Sequence, residues 1–482
     1  MALTSPPTAR ARDEIRPVPA DQRRLGPLQF GVLWGDLGVG LLILVAGSLL
    51  VPALGLRDAL IATTVGSVIG SALLAVAGKI GSDLGVPTMV ALRPALGVRG
   101  SYLSSLLNIG QLIGWAGLEI IIMSQAAEAI SDEFFGFGGY YLWMTLFAIL
   151  GTAFAVAGPV IVIRQFLERF GVWLVIAATI WLTWRLWDAY DFSEIWNRDG
   201  TGGMGFWLAV DIAVSLPVSW LPLVADYSRY ARDGTGSAVA TFLSYTVANV
   251  WFFFLGAAYL LVLYPPGTAF AGNDLIFTLV DSLLPLAAGW VFLFVILADE
   301  LDNAFANIYS TAVSLQNLVA IPQRVLAAAV GAAALVVAVS VDLAGYETFL
   351  LLIGGVFVSL FGVLVADYYL RADVSRKDGP SDLSTPARYD TDALYVEGGR
   401  YWYIAGVNPA GILAWAAGFI TYAACGQPPW LVEHASWITD VPDDITRLGG
   451  TIPSFMVSLM AYLAFTRLAT TSPPAAEAQP TS

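Results

Sequence analysis

The sequence predicts an all-α integral membrane protein with about twelve transmembrane helices. Composition is the first reason: of 482 residues, 57% are hydrophobic and 12% charged, with a mean hydropathy of +0.71. Soluble chains carry about 25% charged residues. Second, runs long enough to span a bilayer recur near 28–52, 58–79, 101–129, 141–158, 164–187, 206–228, 238–263, 284–318, 322–341, 347–370, 407–424 and 449–467. Third, with the N-terminus in the cytoplasm, 19 of the 23 Lys and Arg fall in inner connections, and only Arg57, Arg185, Arg198 and Arg447 fall outside. Positive charge gathers on the inner side of membrane proteins, so the expected location is the cell inner membrane, multi-pass, with both termini cytoplasmic.

The same composition excludes several functions. One cysteine, Cys425, rules out an intramolecular disulfide and a cysteine metal cluster, and the single histidine, His434, falls in a polar connection rather than a span. A net charge of −14 argues against a nucleic-acid partner. No cleavable signal is apparent in 1–25, which is polar and holds five arginines. There is no HExxH, P-loop or nucleophile paired with a base, so an intramembrane enzyme or a receptor is a remote reading. No resident cofactor is expected, and the expected partners are the lipid bilayer, a small substrate and a coupling cation, for a monomer.

Taken in order, 1–27 is a cytoplasmic tail. Span one contains GDLGVG (Gly35 to Gly40), a glycine-rich interruption that includes Asp36. Span two carries Gly66 and Gly70, a GxxxG that reads as helix packing. Span three places Trp115 near mid-depth and Glu119 one turn later on the same face. Span six contains SLPVSWLPLVADYSRY, in which Pro217 and Pro222 predict a kink or break about Trp220. Membrane tryptophans usually sit at the interfaces, so Trp115 and Trp220 at mid-depth suggest two walls for a flat ring. Asp226 and Arg229 end span six at its inner mouth as a gate or a loop anchor.

Span eight is the costliest stretch. In LADELDNAFANIYSTAVSLQNL, the acids Asp299, Glu300 and Asp302 precede Asn303, Asn307, Ser310 and Ser314 along a polar face. An ionisable group near the bilayer centre costs about 2.5–3.5 kcal/mol on insertion scales, and no Lys or Arg in the span offsets these acids. The missing positive charge is a sodium ion, a proton or a cationic substrate. Spans one and six are five spans apart, an odd offset that suggests inverted five-helix repeats over about 28–187 and 206–370. A cytoplasmic connection (371–406), two additional helices (407–467) and a disordered tail (468–482) complete the chain.

Several separated motifs resemble the nucleobase:cation symporter-1 family of cytosine, hydantoin and hydroxymethylpyrimidine permeases. They are Gly114-Trp115, SWLPLVADYSRY, Ala306-Asn307, ADYYL (Ala366 to Leu370) and YDTDALY with GGRYWY (Tyr389 to Tyr403). The resemblance covers about Leu28 to Val407 and implies a LeuT-like 5+5 inverted repeat plus two helices, a core of 28–370 that couples entry of a heterocycle to H+ or Na+. It implies that Trp115 and Trp220 stack on the ring, that Glu119 and Asn307 read its edge, and that Ser219 offers backbone contacts. Two departures follow. Hydantoin permeases carry glutamine where this chain has Glu119, and a carboxylate accepts only, which favours donor-rich edges such as those of cytosine, aminopyrimidines or purines. The family's sodium carbonyl maps to Ala298, but its two hydroxyl positions map to Leu301 and Asp302, so a possible Na+ at Ala298 and Asp302, with Asp36 nearby, competes with a proton. A LeuT-like carrier of amino acids or quaternary amines is the alternative.

Overall fold

A computed structural model describes residues 14–158, 160, 171–264, 283–284, 289–343, 345–371, 389–428, 442, 446 and 448–471. His434, residues 372–388 of the polar connection and the final residues of the C-terminal tail lie outside the described residues. After a 3-10 turn at Ala20–Gln22 come α1 (Pro27–Asp36), α2 (Leu41–Ser48), α3 (Leu56–Leu84) and two short helices, α4 (Thr88–Ala91) and α5 (Arg93–Leu96). Next are α6 (Gly100–Phe135), α7 (Tyr140–Ala157), α8 (Val172–Ala189), α9 (Phe192–Trp196), α10 (Phe206–Ser219), α11 (Val224–Ser228) and α12 (Gly234–Leu263). The rest are α13 (Gly289–Gln316), α14 (Gln323–Ser340), α15 (Tyr346–Val365, continued by a π-turn Ala366–Leu370), α16 (Pro409–Gly426) and α17 (Thr451–Thr471).

Among the described residues, nine helical stretches are long and apolar enough to cross a bilayer, and the bent pair α1 and α2 makes a tenth. The other two expected spans correspond to α8 and to α13, whose three acids within about one turn lower its apolar character. Exposed apolar side chains such as Leu106, Ile149, Ile180, Val336 and Leu413 face outward from these helices, as lipid contact requires. The protein is an all-helical, multi-pass membrane protein.

The helices pack in two groups. α1 and α2 pack on α12, which packs on α3, and α3 also carries α10; α6, α7, α13 and α14 form the second group, with α8 against α13. α15, α16 and α17 pack together and lean on α10. Each group draws helices from both sequence halves, so the halves interleave. Between the groups lies a polar seam.

The two expected interruptions differ in kind. Span one bends by 58° between α1 and α2. Span six is milder: Pro217 sits inside α10, the helix stops at Ser219, and α11 resumes at Val224. Proline at 217 leaves the Ala213 carbonyl without its helical donor. Asn249 on α12 supplies the replacement, with Nδ2 3.5 Å from the Ala213 oxygen and 2.8 Å from Ser67 Oγ. The prolines therefore shift the break to residues 220–223 and leave the preceding helix continuous.

Gly66 and Gly70 let α3 approach α10 closely. A Cβ on Gly66 would lie 2.6 Å from Ala213 Cβ and 2.7 Å from the Val210 oxygen, and one on Gly70 would run into the Pro217 ring. Backbone and a proline ring cannot yield. Gly70→Val is expected to destabilise the fold by about 1–3 kcal/mol, read as a lower Tm of detergent-solubilised protein. Gly110→Ala, at a lipid-facing position with open space around it, is expected to leave Tm unchanged or slightly raised.

Candidate functional site

The bend in span one frees backbone groups in the middle of the bundle. A helix start leaves N–H groups without intrahelical partners and carries partial positive charge. At α2 the Leu41 N–H donates to Glu300 Oε2 at 2.9 Å. Asn303, one turn along α13, donates from Nδ2 to the Val39 carbonyl at 3.4 Å, and the Tyr346 hydroxyl donates to the Leu42 carbonyl at 3.1 Å. Gly40 makes this approach possible: its φ is +154°, and a Cβ there would lie 2.8 Å from Glu300 Oε2.

The break in span six is satisfied from α6. Gln111 Nε2 donates to the Ser219 carbonyl at 2.9 Å and to Asn108 Oδ1 at 2.9 Å, and Asn108 Nδ2 donates to Ser314 Oγ on α13 at 2.8 Å. Trp220 is fixed in turn. Its indole N–H donates to the Tyr245 hydroxyl at 2.9 Å, and Trp34 on α1 packs edge-on against it with centroids 6.0 Å apart. Trp115 is held by different neighbours, Tyr346 at 5.8 Å and Phe349 at 5.2 Å, both edge-on.

Between these two supports lies a cavity. Its wall is made by Leu37, Val39, Gly40, Leu42 and Ile43 of the span-one bend, Trp115 and Glu119 of α6, Leu216, Ser219 and Trp220 at the span-six break, Tyr245, and Glu300 and Asn303 of α13. Four of the expected substrate residues, Trp115, Glu119, Ser219 and Trp220, thus share one wall. Asn307 is buried one turn beyond Asn303 and does not line this cavity. The centre of a water-sized sphere has about 20 Å³ in which to move, room for a water or two, so a ring enters only as side chains shift. A roomier hollow of about 560 Å³ is lined by residues such as Trp187, Phe192, Trp196 and Phe254. It holds no charged group and has the character of a lipid-facing crevice, so the smaller polar cavity is the candidate site.

Behind Glu300 lies a second acidic centre. Asp36, at the end of α1, meets Asp299 and Asp302 of α13, with one carboxylate oxygen from each within 4.8 Å of the others. All six of their carboxylate oxygens are buried without a hydrogen-bond donor. Among the described residues, no Lys or Arg is ion-paired with Asp36, Glu119, Asp299, Glu300 or Asp302. Ala298 is half-buried one turn before Asp302, and Leu301 stands between Glu300 and Asp302.

At the end of span six, Arg229 Nε donates to the Asp226 carbonyl at 3.2 Å, and the two side chains otherwise have separate partners. Asp226 Oδ1 accepts from the Thr88 N–H at 3.2 Å, while Thr88 Oγ1 accepts from the Ala225 N–H at 3.0 Å, so α4 and α11 cap each other. Arg229 donates to the Tyr309 hydroxyl at 3.1 Å and to the Glu14 carbonyl at 3.0 Å. The Glu14–Leu25 segment runs across this end of the bundle as a strap. Tyr395 OH reaches the Ile15 carbonyl at 2.6 Å, Val18 N–H the Gly85 carbonyl at 2.8 Å, and Leu25 pairs with Tyr230 and Arg232.

Residues 17–435 match the family described as permeases for cytosine/purines, uracil, thiamine and allantoin. The chain belongs to this permease family. The permease is accordingly a transporter and not an enzyme. It is 24% identical over 441 residues to the hydantoin permease of Microbacterium maritypicum, covering 86% of this chain and 85% of that one. It is 25% identical over 367 residues to the allantoin permease of Bacillus subtilis, covering 70% of each, and 23% over 345 residues to the cytosine permease of Escherichia coli K12, covering 67% and 73%. Its fold matches Mhp1, a nucleobase-cation-symport-1 family transporter in a closed conformation with bromovinylhydantoin bound, at a TM-score of 0.76 and 21% identity over 96% of this chain and 97% of that one. This is the LeuT-like architecture that the sequence motifs imply.

Sequence reasoning gave no site role to Trp34, Gln111, Tyr245, Glu300, Asn303 or Tyr346. Glu300 and Asn303 were visible as costly polar groups, but only the bend of span one shows what they bond. Gln111→Leu is expected to leave the Ser219 carbonyl unpaired at a cost of about 1–3 kcal/mol, measured as a fall in Tm, whereas Gln125→Leu on the same helix should fall less, since no donor or acceptor role at a break is lost.

Proposed function

We propose that this permease imports a nucleobase or related heterocycle of the cytosine, aminopyrimidine or purine type across the inner membrane, by symport with H+ and by alternating access. The observation that carries the reading is the cavity at the paired breaks, where Trp115 and Trp220 come from opposite packing groups and Glu119 shares the wall with them. Membership of a permease family for cytosine, purines and uracil supports the substrate class.

The ring stacks between the two indoles. Glu119 accepts from its N–H edge, and Asn303, with Asn307 one turn beyond it, supplies amides on the α13 face. The coupling ion is held where Asp36, on the first packing group, meets Asp299 and Asp302 on the second. One Na+ would leave three carboxylates two charges short of neutrality inside the bilayer, whereas protons neutralise them one by one, which favours H+. Neutralising this seam lets α1 and α13 stay close while the outer side is shut. Release toward the inner side follows when the Arg229 and Asp226 end opens.

Proteoliposomes test this directly. Labelled cytosine or adenine is expected to accumulate under an inward proton gradient, and accumulation driven by no gradient, for any heterocycle, would refute the reading. Accumulation under a sodium gradient alone would reassign the ion. Trp115→Ala is expected to weaken binding roughly tenfold, the stacking contribution of about 0.5–1.5 kcal/mol together with lost apolar contact. Asp302→Asn is expected to retain substrate exchange while losing gradient-driven accumulation.

A further inference from the structure

Glu300 is the acid of the α13 row that transport by the scheme above does not use. It occupies a junction. One carboxylate oxygen takes the Leu41 N–H at the start of α2, and its side chain lines the same cavity as Glu119 on α6. Two helices from the same packing group therefore aim carboxyls at one small space. Glu119 is 4% exposed and Glu300 1%, and Glu119 Oε2 is buried with no hydrogen-bond partner. The Trp115 indole N–H is likewise buried without an acceptor. No Lys, Arg or His lines the cavity.

Such a pair accepts hydrogen bonds and carries negative potential. An imide edge, with its carbonyl oxygens, would oppose acceptor to acceptor. Two adjacent N–H donors sharing positive charge would instead meet both carboxyls, and charge-assisted paired bonds of this geometry are about twice as strong as neutral ones. We propose that Glu119 and Glu300 form a two-carboxylate subsite selecting a flat ring with an amidinium-type edge, two adjacent N–H donors bearing positive charge, over imide rings. This rests on the reading of the cavity as the substrate site. Glu300 is also the cap of α2, so the same contact ties an arriving ligand to the bend in span one.

The test uses the full-length protein in nanodiscs and four ring probes: 2-aminoimidazole as a cationic amidinium-type ring, cytosine as a neutral amidine edge, and uracil and hydantoin as imides. Binding is read by calorimetry. The wild type is expected to bind 2-aminoimidazole at least tenfold more tightly than either imide, with cytosine, whose edge sets one N–H donor beside an acceptor nitrogen, in between. Glu300→Gln should weaken 2-aminoimidazole at least tenfold and change uracil less than threefold, and Glu119→Gln should raise affinity for uracil. Imides bound as tightly as the amino rings by the wild type would overturn the proposal, as would an equal loss for all probes in a folded Glu300→Gln protein, which would leave Glu300 as a helix cap alone. If Glu300→Gln does not fold, Glu300→Asp, which keeps the charge on a shorter reach, and the Glu119→Gln comparison carry the same decision. Binding of none of the four rings would instead count against the cavity as the substrate site, a separate result.

Discussion

The arrangement depends on α13 supplying hydrogen bonds to the broken backbone of span one. Eight residues of α2 begin in the bundle interior, where water is scarce and an unpaired N–H or carbonyl is costly. Glu300 and Asn303 meet those groups, and the same helix turn carries Asp299 and Asp302 to Asp36. Remove this face and α1 and α2 have no reason to remain bent around a cavity. The polar row that makes α13 a poor membrane helix by composition is what makes the bend tolerable.

The aromatic residues solve a complementary problem. A wall for a flat ring has to be stiff, and each indole is held from behind, Trp220 by Trp34 and Tyr245 and Trp115 by Tyr346 and Phe349. Tyr346 serves both systems, since its hydroxyl bonds the Leu42 carbonyl while its ring supports Trp115. One side chain thus joins α2 to one side of the cavity.

Much of this was legible in the sequence. Apolar runs and the placement of Lys and Arg located the spans, because both report on the bilayer and need no knowledge of packing. Trp115, Glu119 and Trp220 stood out because each is expensive or out of place at mid-depth. The position of the sharper break was not legible: two prolines drew attention to span six, yet Asn249 repairs the bond that Pro217 removes, and the 58° bend lies in the glycine stretch of span one. Nor could spacing along α13 tell Asn303 from Asn307, since both share its polar face and only the position of α2 selects between them. Tyr245 and Gln111 carry no local signal at all, being ordinary residues whose partners are distant in sequence.

The strap from Glu14 to Leu25 reaches both packing groups. It bonds Arg229 and Gly85 on one packing group and, through the Glu14 carboxylate, the Gln323 N–H at the start of α14 on the other. Separating the groups at this end therefore requires this segment to release its bonds to one of them. Such release is a local unfolding event, with a free energy set by a handful of backbone bonds rather than by helix packing. The segment thus ties the two packing groups together at that end through bonds that lie outside the helix interfaces.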